Sequence, residues 1–277
     1  MWEGFDVAQN VKCVELANQV MIPYLENGNV EGIPLILLHG LADSLHVFEL
    51  LLPYIPESIR TITLTQRGHG DASCPQSGYG TEDFSSDLLL FMEALKIEKA
   101  VVLGASSGGF AARSFAVENP ELTLGLILLG SPSALKDNPF AIEMWESTIS
   151  KLKDPVDAEF VRGFASSITS QKVPRAFMEM MVKENLKVPA SVWKETYKGI
   201  LAEDFPGKLH KIKAPTLIIW GEEDSILPKS DQEALSKAIT NSKLVVCPSA
   251  GHMLYLEKPD VVAAKIINFL QNEINYR

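Results

Sequence analysis

The chain has 277 residues, 46% of them apolar and 22% charged, close to a soluble globular average, so it can bury a sizeable core and is not a disordered chain. Its formal net charge of −10 excludes broad binding to a phosphate backbone, which needs clustered Lys and Arg, and no nucleic-acid partner is expected. The length accommodates one large α/β domain with an insertion as readily as two ordinary domains.

The start, MWEGFDVAQNVKC, lacks a basic segment followed by an apolar one. No run approaches the roughly 20 apolar residues that span a bilayer. Three cysteines, Cys13, Cys74 and Cys247, are odd in number and show no C-x-x-C spacing, which fits a reduced compartment. The expectation is a cytoplasmic chain with no membrane partner.

Val11 to Leu16 and Val20 to Leu25 read as an antiparallel hairpin, followed by an Asn27-Gly28 turn. The continuous apolar run from Pro34 to Leu38, ending in His39-Gly40, reads as a strand buried on both faces. Alternation follows: a helix from about Leu45 to Leu52, a strand from Ile59 to Leu64, a helix from Thr81 to Leu95 and a strand from Ala100 to Leu103. Thr81-Glu-Asp-Phe-Ser supplies that helix with an N-cap and with early acids that suit the positive end of its dipole. A helix from Gly108 to Glu118 stops before Pro120, and Leu124 to Leu129 is another buried strand. Such alternation predicts a mostly parallel sheet with right-handed crossovers.

From about Ala134 to Phe205 no buried strand is evident, and the segment reads as helices broken at Pro155, Pro174 and Pro189. Alternation then resumes with a strand from Thr216 to Trp220, a helix near Lys229 to Ile239, a strand from Lys243 to Val246 and a closing helix from Asp260 to Ile274. A helical insertion, 134–205, therefore interrupts an α/β core formed by 1–133 and 206–277.

Gly104-Ala-Ser-Ser-Gly108 matches G-x-S-x-G directly between a strand and a helix. A strand-to-helix turn this sharp strains the central serine and needs small residues two positions to either side. Ser106 has glycine on both flanks; the alternative register, Ser107 between Ala105 and Gly109, has alanine on one. A serine hydroxyl needs an adjacent base, and the base an orienting acid. Asp224, in the loop after the strand ending at Trp220, and His252, after the next strand, supply both at the same sheet edge. The chain order Ser, Asp, His is the one an α/β-hydrolase elbow requires.

Leu38-His-Gly-Leu41, Arg67-Gly-His-Gly70, Gly104 to Gly109, Trp220 to Pro228 and Gly251-His252 together closely resemble the α/β-hydrolase family, from about Val20 to the C-terminus. The resemblance implies a catalytic triad of Ser106, Asp224 and His252. It implies an oxyanion hole made by the amides of Leu41 and Ser107, and a helical lid over 134–205. One departure stands out: relatives often carry an acid two residues before Arg67, where this chain has Thr65, followed by Gln66. Arg67 and His69 are read as structural, and His46 and His210 as surface or loop histidines without chemistry.

Serine in the elbow excludes the branches of the fold that need aspartate there, the haloalkane dehalogenases and epoxide hydrolases. Acyl transfer through Ser106 requires no metal and no organic cofactor. The 134–205 segment is rich in bulky residues, among them Phe140, Met144, Phe160, Phe177, Met180 and Tyr197. Trp145, Phe164, Met178, Met181 and Trp193 are the candidates for contact with substrate, the methionines as an adaptable wall. A small to medium, largely uncharged ester or lactone suits this composition. Carbon-carbon or amide hydrolysis, cofactor-free peroxidation, and a ligand receptor on the same scaffold stay open, because fold alone does not separate them.

Overall fold

A computed structural model describes residues 11–170, 173–203 and 206–276. Calls on the N-terminal ten residues, and on the end of the predicted insertion at 204–205, lie outside the described residues. Eight strands form one sheet: β1 Lys12–Glu15, β2 Met21–Asn27, β3 Ile33–Leu38, β4 Ile59–Leu64, β5 Ala100–Ala105, β6 Thr123–Leu129, β7 Thr216–Gly221 and β8 Ser242–Cys247. Their order is β1-β2-β4-β3-β5-β6-β7-β8. The hairpin strands β1 and β2 and the β2-β4 pair are antiparallel, and every other pairing is parallel.

β5 and β7 are buried along their whole length, as their unbroken apolar runs predict. α1 Thr81–Ala94 and α2 Gly108–Glu118 pack against each other, and two apolar clusters fill the protein. One centres on Phe91, Val102 and Phe115, the other on Leu103, Ile219 and Tyr255.

Three local details differ from expectation. The predicted helix after β3 is instead two short 3-10 turns, Leu45–Phe48 and Leu52–Tyr54. The second contains Pro53, which has no amide to extend a helix, and Thr65 Oγ1 takes the Leu45 amide at 3.1 Å. α1 starts from Gly80 rather than from a Thr81 cap, and Asp83 Oδ2 accepts the Gly80 amide at 3.0 Å. A single-turn helix, Leu254–Glu257, follows His252 and was not predicted.

Between β6 and β7 the chain forms α3 Pro139–Ser147, α4 Ala158–Ser167, α5 Arg175–Asn185 and α6 Ala190–Ala202. The predicted breaks mark their starts: Pro174 and Pro189 stand at the N-caps of α5 and α6, and Asp157, two residues past Pro155, caps α4 by accepting the Phe160 amide at 2.9 Å. α7 Lys229–Ala238, α8 Leu254–Glu257 and α9 Pro259–Glu273 complete the α-helices among the described residues, and no helix among them is long and apolar enough to cross a membrane.

Candidate active site

Parallel strands direct their carboxyl ends to one edge, and four loops that leave this edge carry the predicted site residues. Leu41 follows β3, Ser106 follows β5, Asp224 follows β7 and His252 follows β8. Ser106 takes a φ of +49°, a left-handed conformation that strains a serine, whereas Ser107 has an ordinary helical φ of −64°. The flanking glycines are required by contact. A Cβ on Gly104 would stand 2.5 Å from Gly109 Cα, and one on Gly108 would stand 2.4 Å from the His39 carbonyl oxygen. Backbone atoms cannot step aside, so Gly108→Ala is expected to cost about 3 kcal/mol. Urea melts of the two proteins check this; an unchanged midpoint refutes it.

His252 Nε2 lies 3.0 Å from Ser106 Oγ, and its Nδ1 lies 3.0 Å from Asp224 Oδ2. A carboxylate only accepts, so Nδ1 carries the proton and Nε2 turns its lone pair to the serine hydroxyl. The other carboxylate oxygen, Asp224 Oδ1, accepts the amides of Ile226 and Leu227 at 2.8 and 2.9 Å. The acid is therefore fixed from its own loop, and its side chain is fully buried.

A mostly apolar cavity opens onto Ser106 and His252. Leu41 and Ser107 also line it, and among the described residues no backbone hydrogen bond takes either of their amides. α2 begins at Gly108, so the positive end of its dipole faces the same point.

Of the five residues expected to touch substrate, Phe164 lines the cavity and the other four do not. Trp193 has no exposed surface and meets Phe160 and Phe164 edge-on at 5.5 and 5.1 Å, inside the core of the insertion. Met181 is buried, Met178 packs between the two clusters, and Trp145 stacks on Tyr197 at 6.3 Å. Sequence reasoning missed Asp43, Ile226 and Met253 as lining residues, and it named Met144 and Tyr197 only among the bulky side chains of the insertion. Proximity in sequence was the available signal, since Asp43, Ile226 and Met253 stand within two positions of Leu41, Asp224 and His252.

The segment around Arg67 is a brace. Arg67 grips Asp87 with Nε at 2.6 Å and Nη2 at 2.5 Å, and donates to the Gly78 carbonyl at 2.9 Å. Thr65 Oγ1 holds the Leu45 amide. Gln66 Nε2 donates to the His39 carbonyl at 2.8 Å, and its amide donates to His39 Nε2 at 2.9 Å. His46 pairs with Glu49 at 2.5 Å, and His210 is exposed.

The family described as alpha/beta hydrolase fold matches residues 33–259. The chain belongs to that family. A monoacylglycerol lipase of Mus musculus, ABHD6, is 26% identical over 260 residues, covering 87% of this chain and 76% of the lipase. A protein of Synechocystis sp. whose name proposes a non-heme chloroperoxidase is 31% identical over 258 residues, covering 87% of this chain and 92% of its own. Among solved structures, an esterase from Exiguobacterium antarcticum superposes with a TM-score of 0.85 at 20% identity, over 94% of this chain and 99% of that one, a likeness of fold.

Proposed function

We propose that this α/β hydrolase cleaves a carboxylic ester or lactone of a small to medium, largely uncharged substrate through an acyl-enzyme on Ser106. The observation that carries the reading is the unbroken relay from Asp224 through His252 to Ser106, 3.0 Å at each step, on the floor of an apolar cavity.

Ser106 Oγ attacks the carbonyl carbon while His252 Nε2 takes its proton, and Asp224 stabilises the imidazolium that forms. The amides of Leu41 and Ser107 hold the oxygen that becomes negative, a contribution of a few kcal/mol each. His252 returns the proton to the leaving alcohol, and a water activated by the same nitrogen releases the acid. No step requires a metal or an organic cofactor. Residues 134–205 act as the lid: Phe140 and Met144 of α3, Phe164 of α4 and Tyr197 of α6 line the cavity and set its apolar character. The free thiols of Cys13, Cys74 and Cys247 accord with a reducing cytoplasmic setting.

A fluorophosphonate probe is expected to label one serine per chain, with the adduct mapping to Ser106. Turnover of acyl esters and lactones is expected to vanish in Ser106→Ala. An adduct on Ser107, or none, overturns the assignment. Tight ligand binding that raises the melting temperature without turnover, unchanged in Ser106→Ala, makes the chain a receptor instead.

A further inference from the structure

Glu257 ends α8, a single turn that follows His252 directly, and its carboxylate touches two parts of the site at once. Met253, Leu254, Tyr255 and Leu256 are each no more than 3% exposed, and their burial presses this turn into the core. The chain is thereby bent back, so that Glu257 Oε2 accepts the Gly251 amide at 2.6 Å. The same carboxylate reaches the insertion just past α4. There Oε1 accepts the Ser170 amide at 3.0 Å, and Oε2 accepts the Ser170 hydroxyl at 2.9 Å.

Gly251 is confined on three sides. A Cβ on Gly221, at the end of β7, would stand 2.2 Å from the Gly251 carbonyl oxygen. A Cβ on Gly251 itself would stand 2.5 Å from Ser170 Oγ and 2.7 Å from Ser170 Cβ, so the insertion lies directly against this glycine. Glu257 takes the remaining side, the amide. His252 is the next residue, its ring set between Asp224 and Ser106. On the insertion, Ser167 and Ile168 line the main cavity and lead straight into Ser170. Asp224 orients the histidine ring, but it does not explain why a second carboxylate binds both the peptide before that histidine and the end of a cavity wall. Bonds to a charged acceptor are roughly twice as strong as neutral ones, so this junction is tighter than an ordinary loop contact.

We propose that Glu257 is a positioning residue that docks the lid on the loop of the catalytic histidine, so that one carboxylate sets both the His252 ring and the Ile168 wall of the cavity. The inference deepens the hydrolase reading and rests on it, since it assigns to that reading the group that couples the lid to the base.

The test uses the full chain carrying Glu257→Gln, which keeps the length of the side chain, and Ser170→Ala, singly and together. In Glu257→Gln an NH2 replaces one oxygen, and either placement sets it against the Ser170 amide or the Gly251 amide, donor facing donor. The rate at which a small fluorophosphonate labels Ser106 reads the placement of His252. The fraction labelled at completion counts the folded chains, and KM for acetyl and octanoyl nitrophenyl esters reads the cavity wall. Glu257→Gln is expected to slow labelling about tenfold, the value of one hydrogen bond to a charged group, with one adduct per chain still reached at completion. Its KM for the octanoyl ester is expected to rise about fivefold more than its KM for the acetyl ester. Ser170→Ala leaves the Gly251 bond in place, so the same KM ratio is expected to rise about threefold while labelling slows by less than about threefold. In the double variant the losses are expected not to multiply, because both act through one carboxylate. Labelling of Glu257→Gln at the unaltered rate overturns the proposal. A lower final fraction at an unaltered rate also overturns it, since that marks a merely structural role, and so do losses that multiply in the double variant. Turnover and labelling by the unaltered chain separate the two readings. If they are present and Glu257→Gln matches them, only the positioning role falls; if the unaltered chain shows neither, the hydrolase reading falls and takes this role with it.

Discussion

Replacing Asp224 with asparagine is expected to lower kcat by about four orders of magnitude, the loss that follows when the acid of a serine triad becomes its amide. Asp224 Oδ1 is held by the Ile226 and Leu227 amides, so the substituted side chain keeps its oxygen there and turns its NH2 toward His252 Nδ1. Two donors then face each other, and the imidazole relieves the conflict by moving its proton to Nε2. That is the nitrogen which must accept from Ser106. The two neighbouring acids serve as controls. Glu222 is exposed and its Oε2 accepts the Ser249 amide at 3.3 Å, and Glu223 is exposed as well. Glu222→Gln and Glu223→Gln are expected to change kcat less than about tenfold, since a surface charge near a site is screened by solvent. Steady-state kinetics on a chromogenic ester decide the matter. A glutamate variant that is the crippling one would move the acid to a different residue of this loop.

That loop also marks how far the sequence could be read. The strands β3, β5, β6 and β7 and the elbow were legible because each strand is a nearly continuous apolar run punctuated by glycine, proline or a polar turn, whereas β4 and β8 carry Arg60 and Lys243 and were legible from their place in the alternation. The order of Ser106, Asp224 and His252 along the chain then fixed which strand ends must meet. The lining of the cavity was not legible, and Trp193 explains why. It is as large and apolar as a binding residue would be, and it lies on α6 with Tyr197 and Ile200, which line the cavity. One turn along the helix separates a wall residue from a core residue, and the choice depends on how α4 and α6 pack. Helical periodicity gives the buried face of each helix; it does not divide that face between the insertion's own core and the space over the sheet. Polar atoms lacking a partner, such as His69 Nε2, are invisible for a related reason, since they are defined by what the fold brings near them.

Asp43 is the sharpest instance, and it yields a prediction of its own. Two residues past Leu41, it lines the main cavity with only 4% of its surface exposed. The position a Cβ would take on Gly40 stands 3.6 Å from Asp43 Oδ2 and 3.2 Å from Ser106 Cβ, which puts a carboxyl beside the nucleophile. The titratable groups around it are His252, which lines the same cavity, and Tyr255, whose own ionisation Asp43 opposes; no Lys or Arg lines that cavity. Burial outweighs the hydrogen bond from Asn185 and pushes the Asp43 pKa up to about 8. At neutral pH this side chain is then a carboxylic acid rather than a carboxylate.

The sign of the consequence follows from proton counting. Between the ordinary carboxyl value of 3.8 and about 8, the folded chain binds a proton at Asp43 that the unfolded chain has lost. The stabilisation is thus fully present below pH 3.8 and drains away as pH rises to about 8, with an upper bound of about 6 kcal/mol at 1.36 kcal/mol per unit. Asparagine has the shape of the protonated acid and cannot ionise. Asp43→Asn is therefore expected to melt several degrees above the unaltered chain at pH 8, at about 2–4 °C per kcal/mol for a chain of this size, with the gap narrowing toward pH 5. Activity is expected to follow the same group. Above about pH 8 the carboxylate that forms beside Ser106 repels the negative charge of the tetrahedral intermediate, so kcat/KM of the unaltered chain falls, whereas in Asp43→Asn it does not. Melting temperatures and kcat/KM measured from pH 5 to 9.5 on both proteins test the two consequences together. Parallel curves across that range would mean that Asp43 is charged at neutral pH and held by partners other than those described.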